Sequence, residues 1–115
     1  MREILNLLVP KENSMPKGYV IVTESIRDDE GMAAYSRAAA PSMAQGGAKP
    51  LVVDGQPRVL EGEWHGNRTV ILEFESVEAA QAWYDSDSYA AARPLRQAAA
   101  ESNAVLLSGF EMPRG

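Results

Sequence analysis

Arg96 and the aromatic residues Tyr35, Trp83, Tyr84 and Tyr89 are the side chains of this sequence best suited to handling a small molecule. Tyr84 and Tyr89 flank Asp85-Ser86-Asp87-Ser88, a helix-breaking run where a phenol can face a cavity. An Arg reaching into that cavity would hold a carboxylate or an enolate through paired N–H donors. Arg96 and Tyr84 are therefore candidate catalytic residues, and Tyr35, Trp83 and Tyr89 candidate ligand contacts. The plainer alternative gives Tyr35 and Trp83 to the core, because both fall on apolar helical stripes. It also gives Arg96 a carboxylate partner such as Glu73.

Glu61 and Glu73 make a second candidate. Each lies within an apolar run expected to be a strand, and neighbouring strands would set them side by side. Two carboxylates sharing a partly buried site push at least one pKa upward, which suits proton transfer. Glu73 thus joins the candidate catalytic set and Glu61 the ligand contacts. The competing expectation is a solvated edge, or pairing with Arg58, Arg68 or Arg96. His65, the only histidine, titrates in the range of a general base. Its place in His65-Gly66-Asn67 reads instead as a hairpin tip in solvent.

Other chemistries find little support. The absence of Cys removes disulfides, thiolate nucleophiles, iron–sulfur clusters and cysteine zinc sites. One His among scattered carboxylates gives no metal-ligand spacing, and a loop His65 is poorly placed to hold haem, so no cofactor and no metal are expected. Gly46-Gly47 lacks the spacing and the following Lys of a phosphate loop. No Ser has a neighbouring His to activate it. A net charge of −5, from 16 acidic and 11 basic residues, argues against a nucleic-acid partner. Ile4 to Val9 is far shorter than the ~20 residues of a membrane helix and makes a poor signal peptide. The expected location is the cytoplasm.

A chain of 115 residues is one domain. Residues 1–16 read as an N-terminal extension and residues 17–115 as the domain. Met1 to Ser14 is either an accessory leader or start-site artefact ahead of Met15, or a short amphipathic helix, using Ile4, Leu5 and Leu8, that docks on the domain or its partner.

Tyr19 to Thr23 is β-branched and aromatic, hence a strand. Asp28 offers a helix N-cap, Met32, Tyr35, Ala39 and Met43 form a helical stripe, Pro41 should kink or interrupt it near its end, and Gly46-Gly47 stops it. Leu51 to Val53 and Arg58 to Trp64 are two short strand candidates around the turn dipeptide Asp54-Gly55, and the second pairs as a hairpin with Thr69 to Glu75. Ser76 caps a second helix through Trp83 and Tyr84. Pro94 then opens a third helix running to Glu101, and Ala104 to Leu107 starts the last strand.

This is an α+β chain in the ferredoxin-like order β-α-β-β-α-β, one antiparallel sheet with helices on one face. Val20-Ile21-Val22, Val70-Ile71-Leu72 and Val105-Leu106-Leu107 are apolar on both faces, although helices cover only one. A second copy covering the other face is the expected partner, giving a homodimer. The alternative is central strands with one face half exposed.

Glu61-Gly62-Glu63-Trp64, Arg68 to Phe74, Ala79 to Ser86, Tyr89, Arg96 and Gly109 together resemble the domain of unknown function family 1330, from about Lys17 to Phe110. That resemblance implies the dimeric α+β barrel superfamily, whose relatives include cofactor-free monooxygenases and small isomerases. It implies no reaction for this chain. Two readings follow: a cofactor-independent protein that binds or transforms a small acidic or carbonyl-containing metabolite, and a dimeric association module without chemistry of its own.

Overall fold

A computed structural model describes residues 16–111. The expected N-terminal extension and its amphipathic-helix alternative thus lie almost wholly outside the described residues. The element order is β1 (Gly18–Ile26), α1 (Asp29–Gly46), β2 (Lys49–Asp54), β3 (Arg68–Phe74), α2 (Val77–Asp85), α3 (Asp87–Ala99) and β4 (Ala100–Ser108). The strands form one sheet in the order β2-β3-β1-β4, every neighbouring pair antiparallel. This is the ferredoxin-like fold that the sequence predicts.

Local chemistry sets the boundaries. The Asp28 carboxylate accepts the Gly31 N–H at 3.0 Å and caps α1, with Asp29 and Glu30 in the first turn. Pro41 does not end that helix, which continues to Gly46 and closes on Gly47 in the left-handed conformation (φ 75°). Ser76 caps α2 through its oxygen and the Ala79 N–H at 3.0 Å.

Alternation along β1 turns Val20 and Val22 into the core and leaves Ile21 half-buried on the other face. Met32, Tyr35, Ala39 and Ser42 of α1 and Ala80 and Trp83 of α2 close over that inner face. The rings of Phe74, Trp83 and Tyr89 stack at its centre, with Trp83 4.1 Å from Tyr89 and 5.3 Å from Phe74 between centroids. Buried aromatic rings of this size contribute several kcal/mol each in transfer free energy, at ~25 cal/mol per Å².

Among the described residues, no helix lies on the opposite face. Strand register places Val52, Ile71, Ile21 and Val105 in one row across all four strands. The flanking rows are Lys49, Glu73, Tyr19 and Leu107 on one side and Asp54, Thr69, Thr23 and Asn103 on the other. Val105 is 52% exposed. No helix among the described residues is long and apolar enough to cross a membrane.

Four expectations are corrected. Arg58 to Trp64 is not a strand: β3 takes Lys49–Asp54 as its edge partner, and residues 55–67 run as an irregular connection. Pro94 lies inside α3 rather than at its start. The helix break shrinks to Ser86, whose hydroxyl donates to the Trp83 carbonyl at 2.7 Å and accepts the Tyr89 N–H at 3.2 Å, so one residue ends α2 and caps α3. β4 then begins at Ala100 because Glu101, Ser102 and Asn103 pair with Ser25, Glu24 and Thr23.

Candidate functional site

The alternation that buries Val20 and Val22 carries Glu24 inward at the next step, where it is 2% exposed. A lone carboxylate there would cost several kcal/mol in desolvation. Arg68, its cross-strand partner on β3, supplies the counter-charge, with Nε 2.7 Å from Glu24 Oε1. The chain after His65 is pressed against this position. Gly66 adopts φ 86°, and a Cβ on it would collide with the Glu24 backbone, while the Asn67 N–H donates to the Glu24 carbonyl at 2.7 Å. A residue other than Gly would be strained here twice over.

Beside the pair, between α1 and the inner face of the sheet, lies a cavity of about 180 Å³. Val22, Met43, Val53, Val70, Leu72 and Trp83 give it apolar walls, and Glu24, Arg68 and the Tyr35 side supply its polar groups. Such a cavity with a few convergent polar groups is the usual form of a small-molecule site. A carboxylate and a guanidinium in it can hold one oxygen of a ligand and accept a proton from the neighbouring carbon.

A second polar cluster adjoins it. Tyr35 and Tyr89 share a hydrogen bond between their hydroxyls at 2.8 Å. Arg96 Nε donates to the Tyr89 oxygen at 3.3 Å, its Nη1 donates to Ser102 Oγ, and its guanidinium sits 6.0 Å from the Tyr35 ring centre. Burial, and then the neighbouring Tyr89 hydroxyl, push the Tyr35 phenol well above its ordinary pKa. Ser102 is the β4 partner of Glu24, so Ser102, Glu24 and Arg68 form one polar row across three strands.

The sequence candidates divide between the two faces of the sheet. Tyr35, Trp83, Tyr89 and Arg96 come together in the interior, all buried. Tyr84 is half-buried beside them, its ring 5.6 Å from Tyr89 and covered by the Arg93 guanidinium at 4.4 Å. Trp83 Nε1 donates to Ser42 Oγ at 3.2 Å. Glu73 points to the open face, where its carboxylate accepts from the Tyr19 hydroxyl at 2.9 Å. Glu61 is exposed in the 55–67 connection. The side-by-side placement expected of Glu61 and Glu73 therefore does not occur, because Glu73 has Lys49 and Tyr19 as strand neighbours. Nor does Arg96 bridge to Glu73.

His65 is not a solvent tip. It is half-buried, with Nδ1 2.7 Å from Thr23 Oγ1 and Nε2 3.5 Å from Glu101 Oε1. Among the described residues, no cluster of three or more His, Asp or Glu stands ready to hold a metal. Glu24 escaped the sequence reading, although its parity with Val20 and Val22 marks it as inward-facing.

Comparison with known proteins agrees with this architecture. The sequence signature of the domain of unknown function DUF1330 matches residues 17–110. A protein of unknown function from Rhodopseudomonas palustris is similar in structure, with 20% identity over 96% of this chain and 93% of that one and a TM-score of 0.70. A variant of SnoaB, a cofactor-independent oxygenase from Streptomyces nogalater, is also similar, with 13% identity over 84% of this chain and 96% of that one and a TM-score of 0.60. A conserved protein from Methanosarcina mazei has 14% identity over 84% of this chain and 95% of that one, with a TM-score of 0.55. At these identities the likeness is one of fold. No curated protein matches the sequence.

Proposed function

This chain belongs to the DUF1330 family of domains of unknown function, and we infer that it is a homodimer that binds a small acidic or carbonyl-containing molecule in the cavity beside Glu24 and Arg68, without a cofactor. The observation that carries this reading is the buried Glu24–Arg68 pair, 2.7 Å apart, set into an otherwise apolar cavity. A pocket of that kind suits a ligand with a hydrocarbon body and one oxygen-bearing end. Among the described residues Arg68 donates to Glu24 through Nε alone, which leaves its terminal nitrogens for a ligand oxygen.

The chemistry that follows is proton transfer next to a carbonyl. Glu24 takes a proton from the carbon beside the ligand's carbonyl, the C–H electron pair moves into the new enolate, and Arg68 holds the enolate oxygen. Return of the proton from Glu24 restores neutrality or shifts a double bond. Tyr35, held in its neutral form by burial, offers a hydroxyl on the same side. SnoaB, a cofactor-independent oxygenase of similar fold, supports a cofactor-free reading. Fold likeness alone does not choose a reaction.

Dimerisation rests on the row of Val52, Ile71, Ile21 and Val105 on the uncovered face. A second copy of the same row, related by a two-fold axis, would remove these side chains from water.

Ligand-observed NMR with a panel of small 2-oxo acids and 1,3-dicarbonyl compounds in D2O tests the assignment. Binding that is lost in Arg68→Met, together with deuterium exchange at the activated carbon that is lost in Glu24→Gln, supports it. Neither binding nor exchange with any compound would leave an association module as the better reading.

A further inference from the structure

Two charged side chains are fully buried among the described residues, the Glu24 carboxylate and the Arg96 guanidinium, and the half-buried Arg68 lies beside the first. Glu24 is committed to Arg68 at 2.7 Å. Arg96, 3% exposed, has only neutral partners among the described residues: the Tyr89 hydroxyl, Ser102 Oγ and the face of the Tyr35 ring. Arg stays protonated throughout the accessible pH range, so this charge cannot be relieved by titration. A buried ion without a counter-ion is costly, and the network of Glu24, Arg68 and Arg96 sums to one positive charge. Among the described residues, no carboxylate pairs directly with Arg96. An external anion would.

Room for one exists where Arg96 comes nearest to solvent. A cleft of about 480 Å³ runs between the end of α3 and the inner side of β4, lined by Arg96, Arg27, Gln97, Ser102 and Tyr84. Ser102, already bonded to Arg96, and the side-chain amide of Gln97 add neutral donors, and Arg27 adds a second cation at the exposed end of β1. Glu101 also borders the cleft, but its carboxylate lies 3.5 Å from His65 Nε2, and its strand partner is Ser25 on the other face of the sheet.

We propose that this cleft is a binding site for a small oxyanion, a carboxylate or a phosphate, anchored by Arg96 and gated by Arg27. It is distinct from the cavity at Arg68, from which the Glu24 side chain separates it: Glu24 stands between Arg68 on β3 and Ser102 on β4 in the strand register. The Arg96 fork supplies the charge-assisted hydrogen bonds, Ser102 fixes its orientation, and the second guanidinium draws the anion in. The same arrangement could recognise the acidic end of an extended ligand or a free ion, and the shared chemistry is the oxyanion.

Amide chemical shifts of the full chain, titrated separately with succinate and with inorganic phosphate, test the proposal. Saturable shifts confined to Gln97, Ser102 and their neighbours are expected with at least one of the two, and whichever binds more tightly names the oxyanion. Each charge-assisted contact is worth about tenfold or more in affinity. Arg96→Lys, which keeps the charge and loses the fork, and Arg27→Ala, an exposed change that leaves the core intact, should therefore each weaken binding by about tenfold. The double variant Glu24→Leu/Arg68→Met, which removes that pair as a neutral unit, should leave it unchanged, which separates this site from the cavity. No saturable shift with either anion, or equal affinity in wild type and Arg27→Ala, overturns the proposal.

Discussion

Glu24 and Arg68 face each other across the β1–β3 pairing with their charges 2.7 Å apart, on the side of the sheet that the helices cover. An ion pair in that position does more to fix register than to raise stability. Slipping β3 by one residue would turn Arg68 to the open face and strand Glu24 among Val20, Val22 and Tyr35. The same contact that specifies the sheet also equips the cavity.

The two halves of the pair should respond unequally to removal. Arg68→Met leaves the Glu24 carboxylate buried and unpaired, and is expected to cost about 3–5 kcal/mol in urea unfolding. Glu24→Gln should cost less, because the Arg68 side chain retains 26% of its exposure and can reach water. The double variant Glu24→Leu/Arg68→Met should recover most of the loss, since replacing a buried pair by apolar groups is often neutral or better. Equal, small effects from both single changes would show that water already screens the pair.

Alkaline pH should unfold this protein through its phenols. Tyr35 is held neutral by burial and by Tyr89, so its folded pKa lies above the ordinary value of about 10 that it has when unfolded. A group raised in the folded state contributes its full stability below the unfolded pKa and loses it as pH climbs from there towards the folded value. Stability should therefore be flat through neutral pH and fall steadily above about pH 10, with loss of near-ultraviolet dichroism accompanying tyrosine ionisation. Tyr35→Phe should flatten that alkaline slope while lowering stability at pH 7, because the buried Tyr89 hydroxyl loses its partner. A Tyr35 that ionises near pH 10 in the intact fold would contradict the buried network.

Pro94 offers a stabilising change. It lies in the interior of α3 and is exposed, so its ring buries little while its missing N–H leaves one helical carbonyl without its bond. A helix-interior Pro costs about 3 kcal/mol, offset by about 0.4–1 kcal/mol from its restriction of the unfolded chain. Pro94→Ala should raise the urea midpoint without changing its slope. An unchanged or lower midpoint would mean that Pro94 helps to set the helix so that Arg96 reaches Ser102.

Much of the fold was legible because local chemistry and global packing agree. Asp28, Gly47 and Ser76 punctuate the helices where their side chains or φ values require it, and the doubly apolar strands marked the central sheet. Errors fell where two local signals competed. Arg58 to Trp64 has strand-like residues, yet Lys49–Asp54 reaches β3 first and satisfies its edge. Pro94 looked like a helix start, but the Ser86 cap three residues before Tyr89 had already begun α3. The aromatic and Arg96 cluster was visible as helical stripes. Glu24 was not, since a single acidic residue at a strand end looks solvated until the register with Arg68 and Ser102 is known.

The uncovered face gives the clearest test of association. Val105 sits on edge strand β4 at the end of the aliphatic row, 52% exposed in the single chain, so replacing it disturbs little of the chain's own core. If a second copy covers this row, Val105→Lys places an uncompensated charge in a buried interface, which costs several kcal/mol. Sedimentation equilibrium should then show a dimer for the wild type and a monomer for Val105→Lys, with the variant's circular dichroism preserved. Ala38→Lys, at an exposed position of α1, serves as the control and should leave the dimer intact. A wild-type protein that sediments as a monomer would mean that the row of Val52, Ile71, Ile21 and Val105 is left for some other partner, and a Val105→Lys dimer would move the interface away from this face altogether.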